Sequence, residues 1–240
     1  MQRYFISLDN FKENIIVGDD VFHIVKVMRN KLGDQLEVCA ENKAYLVEIN
    51  NIETDKVEFN ILKELHESKV DGPKLTLIQG LPKGDKTEDI IMHSTELGID
   101  NIVLVEMVRS IAKIDPKKLN NKLERYQKIA KEAAEQAHRN QIPTIDIQNG
   151  LKNINYDHFD LKILLDEEEA KKELPRYLNQ LNLKVSNICF VIGPEGGIDP
   201  KERLFLLEQG FIPTALGKNI LRTQTASLAF LAMLKYALLP

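Results

Sequence analysis

The chain has 240 residues, 43% of them hydrophobic and 28% charged, with a formal net charge of −4. This describes an ordinary globular protein of one large or two small domains, and no apolar run is long enough for a spanning helix. The N-terminus, MQRYFISLDNFKEN, lacks the apolar stretch and cleavage site of a secretory signal. Cys39 and Cys189 are too far apart in sequence for a disulfide framework or metal-ligand spacing, so two buried free thiols in a cytoplasmic protein are expected.

In chain order, residues 1–70 read as a small β-rich unit. VFHIVKVMRN predicts a short helix with Val21, Ile24, Val25 and Met28 at helical spacing. GDQLEVCA, KAYLVEIN and KVEFNIL predict strands, with Leu36, Val38, Tyr45, Val47, Ile49, Val57, Phe59 and Ile61 lining a barrel. LHESKVDGP (65–73) is polar, ends in Gly-Pro and reads as a linker.

Residues 71–240 alternate strand and helix. KLTLIQGL, NIVLVEM, LKILLDE, NICFVIG and FIPTALG read as strands; TEDIIMHSTELG, PKERLFLLEQG and TASLAFLAMLKYALL read as helices. Gly98 and Gly210 stop two of those helices. Asp115-Pro116 supplies an N-cap and first-turn proline for another, whose stripe is Leu119, Leu123, Tyr126, Ile129, Ala130, Ala133 and Ala137. The alternation predicts an α/β domain with a mainly parallel sheet. The last helix is apolar almost all round, so it is either sandwiched within the domain or covered by a second subunit.

Charge is segregated. Arg109 to Arg139 holds nine Lys/Arg against four Asp/Glu, and Asp157 to Glu173 seven acids against three bases. A basic face and a solvated, salt-bridged helix both fit the first run. GLPKGDKTED imitates a phosphate loop but fails on spacing. GPEGG is not a dinucleotide fingerprint, no GxSxG elbow occurs, and the five histidines have no metal-ligand spacing, so no metal centre is expected.

Two stretches carry chemistry. In FVIGPEGGIDPKER a buried strand runs into Gly193-Pro194-Glu195-Gly196-Gly197. At the C-terminal end of a strand, such a turn lets a flat heterocycle approach the backbone; Glu195 can accept hydrogen bonds or hold an arginine. The bland reading is a strand-to-helix turn. In ALGKNILRTQTASLA, Arg222 sits among Thr223, Gln224 and Thr225, whose hydroxyls suit N-capping. Two loops, each just past a buried strand, argue for one shared pocket.

These stretches, with LPKGDKTEDIIMHSTELGI, VRS (108–110), KEAAEQAHRNQIP, the N-terminal RYF and the run of His23, Met28, Arg29, Gly33 and Asp34, resemble the RsmE-type 16S ribosomal RNA uridine-N3 methyltransferases of the SPOUT superfamily. The resemblance covers essentially the whole chain. It implies a C-terminal α/β trefoil-knot domain, a PUA-like N-terminal barrel, S-adenosylmethionine as cofactor, a homodimer that covers the last helix, and 16S ribosomal RNA in the small ribosomal subunit as partner. By the same resemblance Leu165, Ile192, Gly193, Pro194, Glu195, Gly196, Gly197, Leu216, Gly217, Ile220, Leu221, Arg222, Thr223 and Ala226 bind the cofactor. The catalytic candidates are Arg222, Gln224, Arg139, Glu135 and Arg109, with an ordinary i,i+4 ion pair as the bland reading of Glu135–Arg139. RNA contacts are expected from Arg3, His23, Arg29, Lys83 and Arg125. Three positions depart from the family pattern: His93 for Lys, Asn219 for Arg and Gln224 for Glu. The last replaces a carboxylate by an amide of the same shape.

Overall fold

The computed structural model describes residues 1–65, 72–173 and 175–239. They cluster into two compact units: Met1–Val70 with Ala134–Gln141, and Asp71–Ala133 with Ile142–Pro240. Most of the expected linker, residues 66–71, lies outside the described residues.

The first unit contains β1 (Arg3–Phe5), α1 (Leu8–Lys12), β2 (Ile15–Val17), α2 (Asp19–Phe22), β3 (Gln35–Ala40), β4 (Lys43–Ile52) and β5 (Lys56–Leu65). Its five-stranded sheet has the order β1-β3-β4-β5-β2. Strand alternation puts Leu36, Val38, Val47, Ile49, Val57 and Phe59 into one core with Tyr4, Ile16 and Ile24. Ile61, expected inside, is exposed; the β4–β5 ladder shifts register there, between Leu46 and Val47. The expected helix at 21–30 is α2 continued by a π-helical segment, His23–Val27. That wider turn leaves Met28 exposed while Val21 and Ile24 stay buried.

The second unit contains β6 (Lys74–Gly80), α3 (Lys86–Glu96), β7 (Asn101–Val105), α4 (Leu119–Gln136), β8 (Thr144–Gln148), β9 (Leu161–Leu165), α5 (Glu167–Ala170), β10 (Asn187–Ile192), α6 (Pro200–Glu208), β11 (Ile212–Thr214) and α7 (Thr223–Ala237). The six-stranded sheet runs β11-β9-β10-β6-β7-β8, and every pairing is parallel. The inner strands β6, β7, β9 and β10 are largely buried on both faces, which is why they read as near-continuous apolar runs. One face carries Leu77, Leu104, Ile163 and Phe190 against Ile90, Tyr126, Phe230 and Leu234 of α3, α4 and α7. The other carries Ile78, Leu164, Cys189 and Val191 against Leu206 of α6 and Tyr156 and Phe159. Both cysteines are free and buried.

Helix α4 begins at Leu119, because Pro116–Lys118 form a turn that Asp115 caps through Lys117 N (3.0 Å). It ends in a Schellman motif: Arg139 N donates to Ala134 O (2.9 Å) and His138 N to Glu135 O (3.2 Å), with His138 at φ 52°. This end is fastened within the first unit. Arg3 Nε donates to Glu37 Oε2 (2.8 Å), Arg3 Nη1 to the His138 carbonyl, and His138 Nδ1 meets Glu37 Oε2 at 3.0 Å.

Candidate active site

Because the sheet is all parallel, the segments after β6, β7, β9, β10 and β11 leave it on one edge, where α/β sheets bind ligands. The turn Gly193–Gly197 follows β10 there. Each glycine in it has an intramolecular reason. A Cβ on Gly193 would come within 2.7 Å of Ile198 Cγ1, and one on Gly196 within 3.1 Å of the Arg109 main chain. Gly197 has φ +72°, in the left-handed region. Gly80, at the end of β6, is also obligatory: its Cβ would sit 2.5 Å from Pro194 Cδ. The turn is therefore a packed shelf.

A buried polar cluster joins this shelf to the start of α7. Thr223 Oγ1 donates to Gly193 O at 2.7 Å and accepts from Gln79 Nε2 at 2.9 Å. Gln79 also donates to Gly80 O (2.9 Å), and Ser227 Oγ lies 2.5 Å from Gln79 Oε1. Gln79 and Ser227 are wholly buried. The sequence reading missed both; an amide inside the apolar strand LTLIQ was the available signal. It also took the hydroxyls around Arg222 for N-caps. The helix instead starts at Thr223 with Arg222 as its N-cap residue, without a side-chain cap bond, and the Thr223 hydroxyl is the pin between loops.

Charged groups brace the shelf. Glu195 accepts hydrogen bonds from Lys83 N (3.1 Å) and Lys86 Nζ (2.6 Å), the first of its two expected roles, rather than holding an arginine. Burial pushes its carboxyl up, but these donors outweigh that and hold it below the ordinary carboxylate value. Arg109 Nη1 donates to Gly196 O (3.2 Å), and its Nε lies 3.8 Å from Asp199 Oδ2. Arg203 grips Asp166, just after β9, at 2.8 Å. Glu167, also missed, brings Oε1 to 3.6 Å from where a Gly197 Cβ would stand. Opposite this shelf, the main chain from Leu216 to Leu221 makes no main-chain hydrogen bond among the described residues. Gln224 Oε1 is buried and unpartnered among them.

The sheet edge thus collects Arg109, Leu165, Ile192 to Gly197, Leu216, Gly217, Ile220 to Gln224 and Ala226. Ile192 and Pro194 are buried, Leu165, Leu216, Gly217 and Ala226 half-buried, and Ile220, Leu221 and Arg222 exposed. Lys83 joins it through its backbone, and Arg125 on α4 pairs with Glu88 at 2.7 Å. The remaining expected residues belong to the first unit. Arg3 is 4% exposed and fully engaged in the α4 fastening, so it is no surface phosphate contact. Glu135 Oε1, one of the catalytic candidates, accepts from Phe5 N at 3.0 Å. Arg139 supplies the closing N–H of the Schellman motif. His23 Nδ1 shares a 2.9 Å hydrogen bond with the Tyr4 hydroxyl, while Arg29 is exposed at φ 58°.

Residues 70–235 match the family profile of an RNA methyltransferase domain, and residues 16–62 that of an RNA methyltransferase PUA domain. A Bacillus subtilis protein named ribosomal RNA small subunit methyltransferase E is 37% identical, with 98% of this chain and 96% of that protein covered. A protein of the same name from Buchnera aphidicola is 30% identical over 97% of this chain and 93% of its own length. The crystal structure of a ribosomal RNA small subunit methyltransferase E from Neisseria gonorrhoeae, bound to S-adenosyl methionine, superposes with a TM-score of 0.82 at 27% identity, covering 99% of this chain and 98% of that one. With a family profile over most of its length and a full-length relative above 30% identity, this chain belongs to the RNA methyltransferase family whose members include the ribosomal RNA small subunit methyltransferases E.

Proposed function

We propose that this chain transfers a methyl group from S-adenosylmethionine to N3 of one uridine in the 16S RNA of the small ribosomal subunit, in the cytoplasm and as a homodimer. The observation that carries this reading is the 2.7 Å bond from Thr223 Oγ1 to Gly193 O, which joins two sequence-distant turns on one sheet edge. The residues fit the cofactor. The open main-chain groups of Leu216 to Leu221 offer donors and acceptors to the edge of a heterocycle, and the Gly193–Gly197 shelf and Leu165 offer it a flat surface. When bound, the cofactor supplies a methyl group activated by positively charged sulfur.

The protein's own work is alignment and charge control. Rigid placement of an acceptor contributes up to about 7–11 kcal/mol to such a transfer. Uracil N3 gives up its proton to react. Gln224 has no ionisable group with which to take it, so its buried carbonyl orients and the proton leaves to solvent. Arg222, exposed at the mouth, and Arg109, braced on Gly196, stabilise the negative charge on the uracil ring. Residues 1–70 serve as the PUA-like RNA-binding domain and 71–240 as the catalytic domain, with the last helix threaded into a trefoil knot. The exposed Met233 and Tyr236 of α7, and Leu239 just after it, are covered by the second copy.

The test is methyl transfer from labelled S-adenosylmethionine to small ribosomal subunits from cells lacking this protein, read by mass-spectrometric mapping of the RNA. One N3-methyluridine is expected. Cofactor binding by calorimetry without transfer to any RNA would leave a non-catalytic RNA-binding protein and overturn the assignment.

A further inference from the structure

The first unit carries a surface that the sheet-edge chemistry does not use. Phe22, the last residue of α2, is 65% exposed, an unusual place for an aromatic ring without a partner. It lines an open hollow of about 550 Å³ with Gly18, Val21, Val25 and Lys26 on one wall and the turn Ile52–Asp55 on the other. The chain is held there in uncommon conformations. His23–Val27 is π-helical, and Arg29 sits at φ 58° without being glycine. Both features concentrate at functional segments, because they cost stability that packing alone does not require. Lys26 lines the hollow with the ring, and Arg29 and Lys31 follow it within five residues of sequence. Lys12, Lys43 and Lys56 in the same unit each face a carboxylate, at 4.0, 3.3 and 2.6 Å, whereas these three make no ion pair among the described residues. Asp34, the nearest acid in sequence, is occupied by Lys31 N and Asn30 Nδ2.

An exposed ring beside a run of uncommitted cations is the chemistry of single-stranded nucleic acid recognition: the ring stacks on a base, and the cations follow the phosphates. We propose that Phe22 stacks on one unpaired RNA base seated in this hollow, with Lys26, Arg29 and Lys31 holding the adjoining phosphates. Glu53 and Asp55 on the far wall repel phosphate, so the strand enters with its backbone along the cationic side and its base toward the turn. This deepens the proposed function and rests on its RNA-binding reading.

The experiment measures binding of the full chain to single-stranded oligoribonucleotides and to small ribosomal subunits lacking the modification, with cofactor calorimetry as the control for an intact second unit. Phe22→Ala is expected to weaken oligonucleotide and particle binding about tenfold or more, Phe22→Tyr to restore it, and neither to alter cofactor affinity. Removing Lys26, Arg29 and Lys31 as glutamines is expected to lower the salt-dependence slope by about 0.7 for each lost phosphate contact. Wild-type binding by Phe22→Ala overturns the stacking alone. Weakened binding to particles with unchanged binding to every oligonucleotide assigns the surface to a ribosomal protein and overturns it too. Failure of the wild-type chain to bind any RNA removes the RNA-binding reading beneath it as well.

Discussion

Thr223→Val tests whether the inter-loop pin holds the cofactor site together. Valine has the same shape, so nothing is lost in volume. The substitution removes the donor to Gly193 O at 2.7 Å and the acceptor for Gln79 Nε2 at 2.9 Å. Gln79 is fully buried, so water does not replace its bond, while Gly193 is half-buried. One half-buried carbonyl and one buried amide hydrogen lose their partner, at up to about 1–3 kcal/mol each. The sum, about 2–6 kcal/mol, is a large fraction of the 5–15 kcal/mol that typically separates folded from unfolded chains. Thr223→Ser keeps both bonds and loses one methyl group, a change of about 1 kcal/mol. Urea unfolding of the three proteins measures the difference, and calorimetry with S-adenosylmethionine measures the site; the valine variant is expected to bind at least tenfold more weakly. Equal midpoints for the valine and serine variants would show that the pin carries no net energy. A destabilised valine variant with wild-type cofactor affinity would refute the link between pin and site.

Gly80→Ala places a methyl group 2.5 Å from Pro194 Cδ and is expected to displace the shelf, lowering cofactor affinity more than an alanine at Gly72, where no atom lies within 4 Å, as calorimetry can show. Glu37 is pushed up by burial but pulled further down by His138 and Arg3, so its carboxyl titrates below the usual 4.5. Its stabilisation is fully present above that value and disappears as pH falls through the lowered folded pKa. The stability gap between wild type and Glu37→Gln, measured by denaturant midpoints, is therefore expected to be wide at pH 7 and to close below pH ~4. Met233→Asp with Tyr236→Asp puts two charges on the exposed face of α7 and is expected to turn a dimer into a monomer in sedimentation velocity.

Strands β6, β7, β9 and β10 were legible because both of their faces are buried, which writes an unbroken apolar run. β8 was not: TIDIQ alternates at the sheet edge, follows a proline and is five residues long. β1 has three residues, too few for any period. At the site, glycine content located the turn and suggested room for a ligand, but did not show the packing within the chain that also requires glycine there. A sequence shows that glycine is present, whereas the neighbours that exclude a Cβ, Ile198, Arg109 and Pro194, lie 5 to 114 positions away. Arg3, expected from the resemblance as an RNA contact, shows what only the fold reveals: Glu37 and Asn140 close over it.

The helix that completes the site is also the helix that presents the apolar face. Thr223, at the first turn of α7, fixes Gly193; Met233 and Tyr236, about three to four turns further on, are uncovered in the single chain. Phe230, Leu231 and Leu234 pin the opposite side of the same helix into the core, so α7 moves as one rigid element. In the proposed dimer, any ligand that favours the pinned position of Thr223 then favours the face offered to the second copy, and linkage requires the reverse with equal strength. Cofactor affinity is accordingly expected to fall when the protein is diluted below its dimer dissociation constant, and the dimer to tighten by the same factor when S-adenosylmethionine is added. Calorimetry across protein concentrations, paired with sedimentation with and without cofactor, measures both factors. Affinity independent of concentration across the dissociation range would mean that the two ends of α7 act separately.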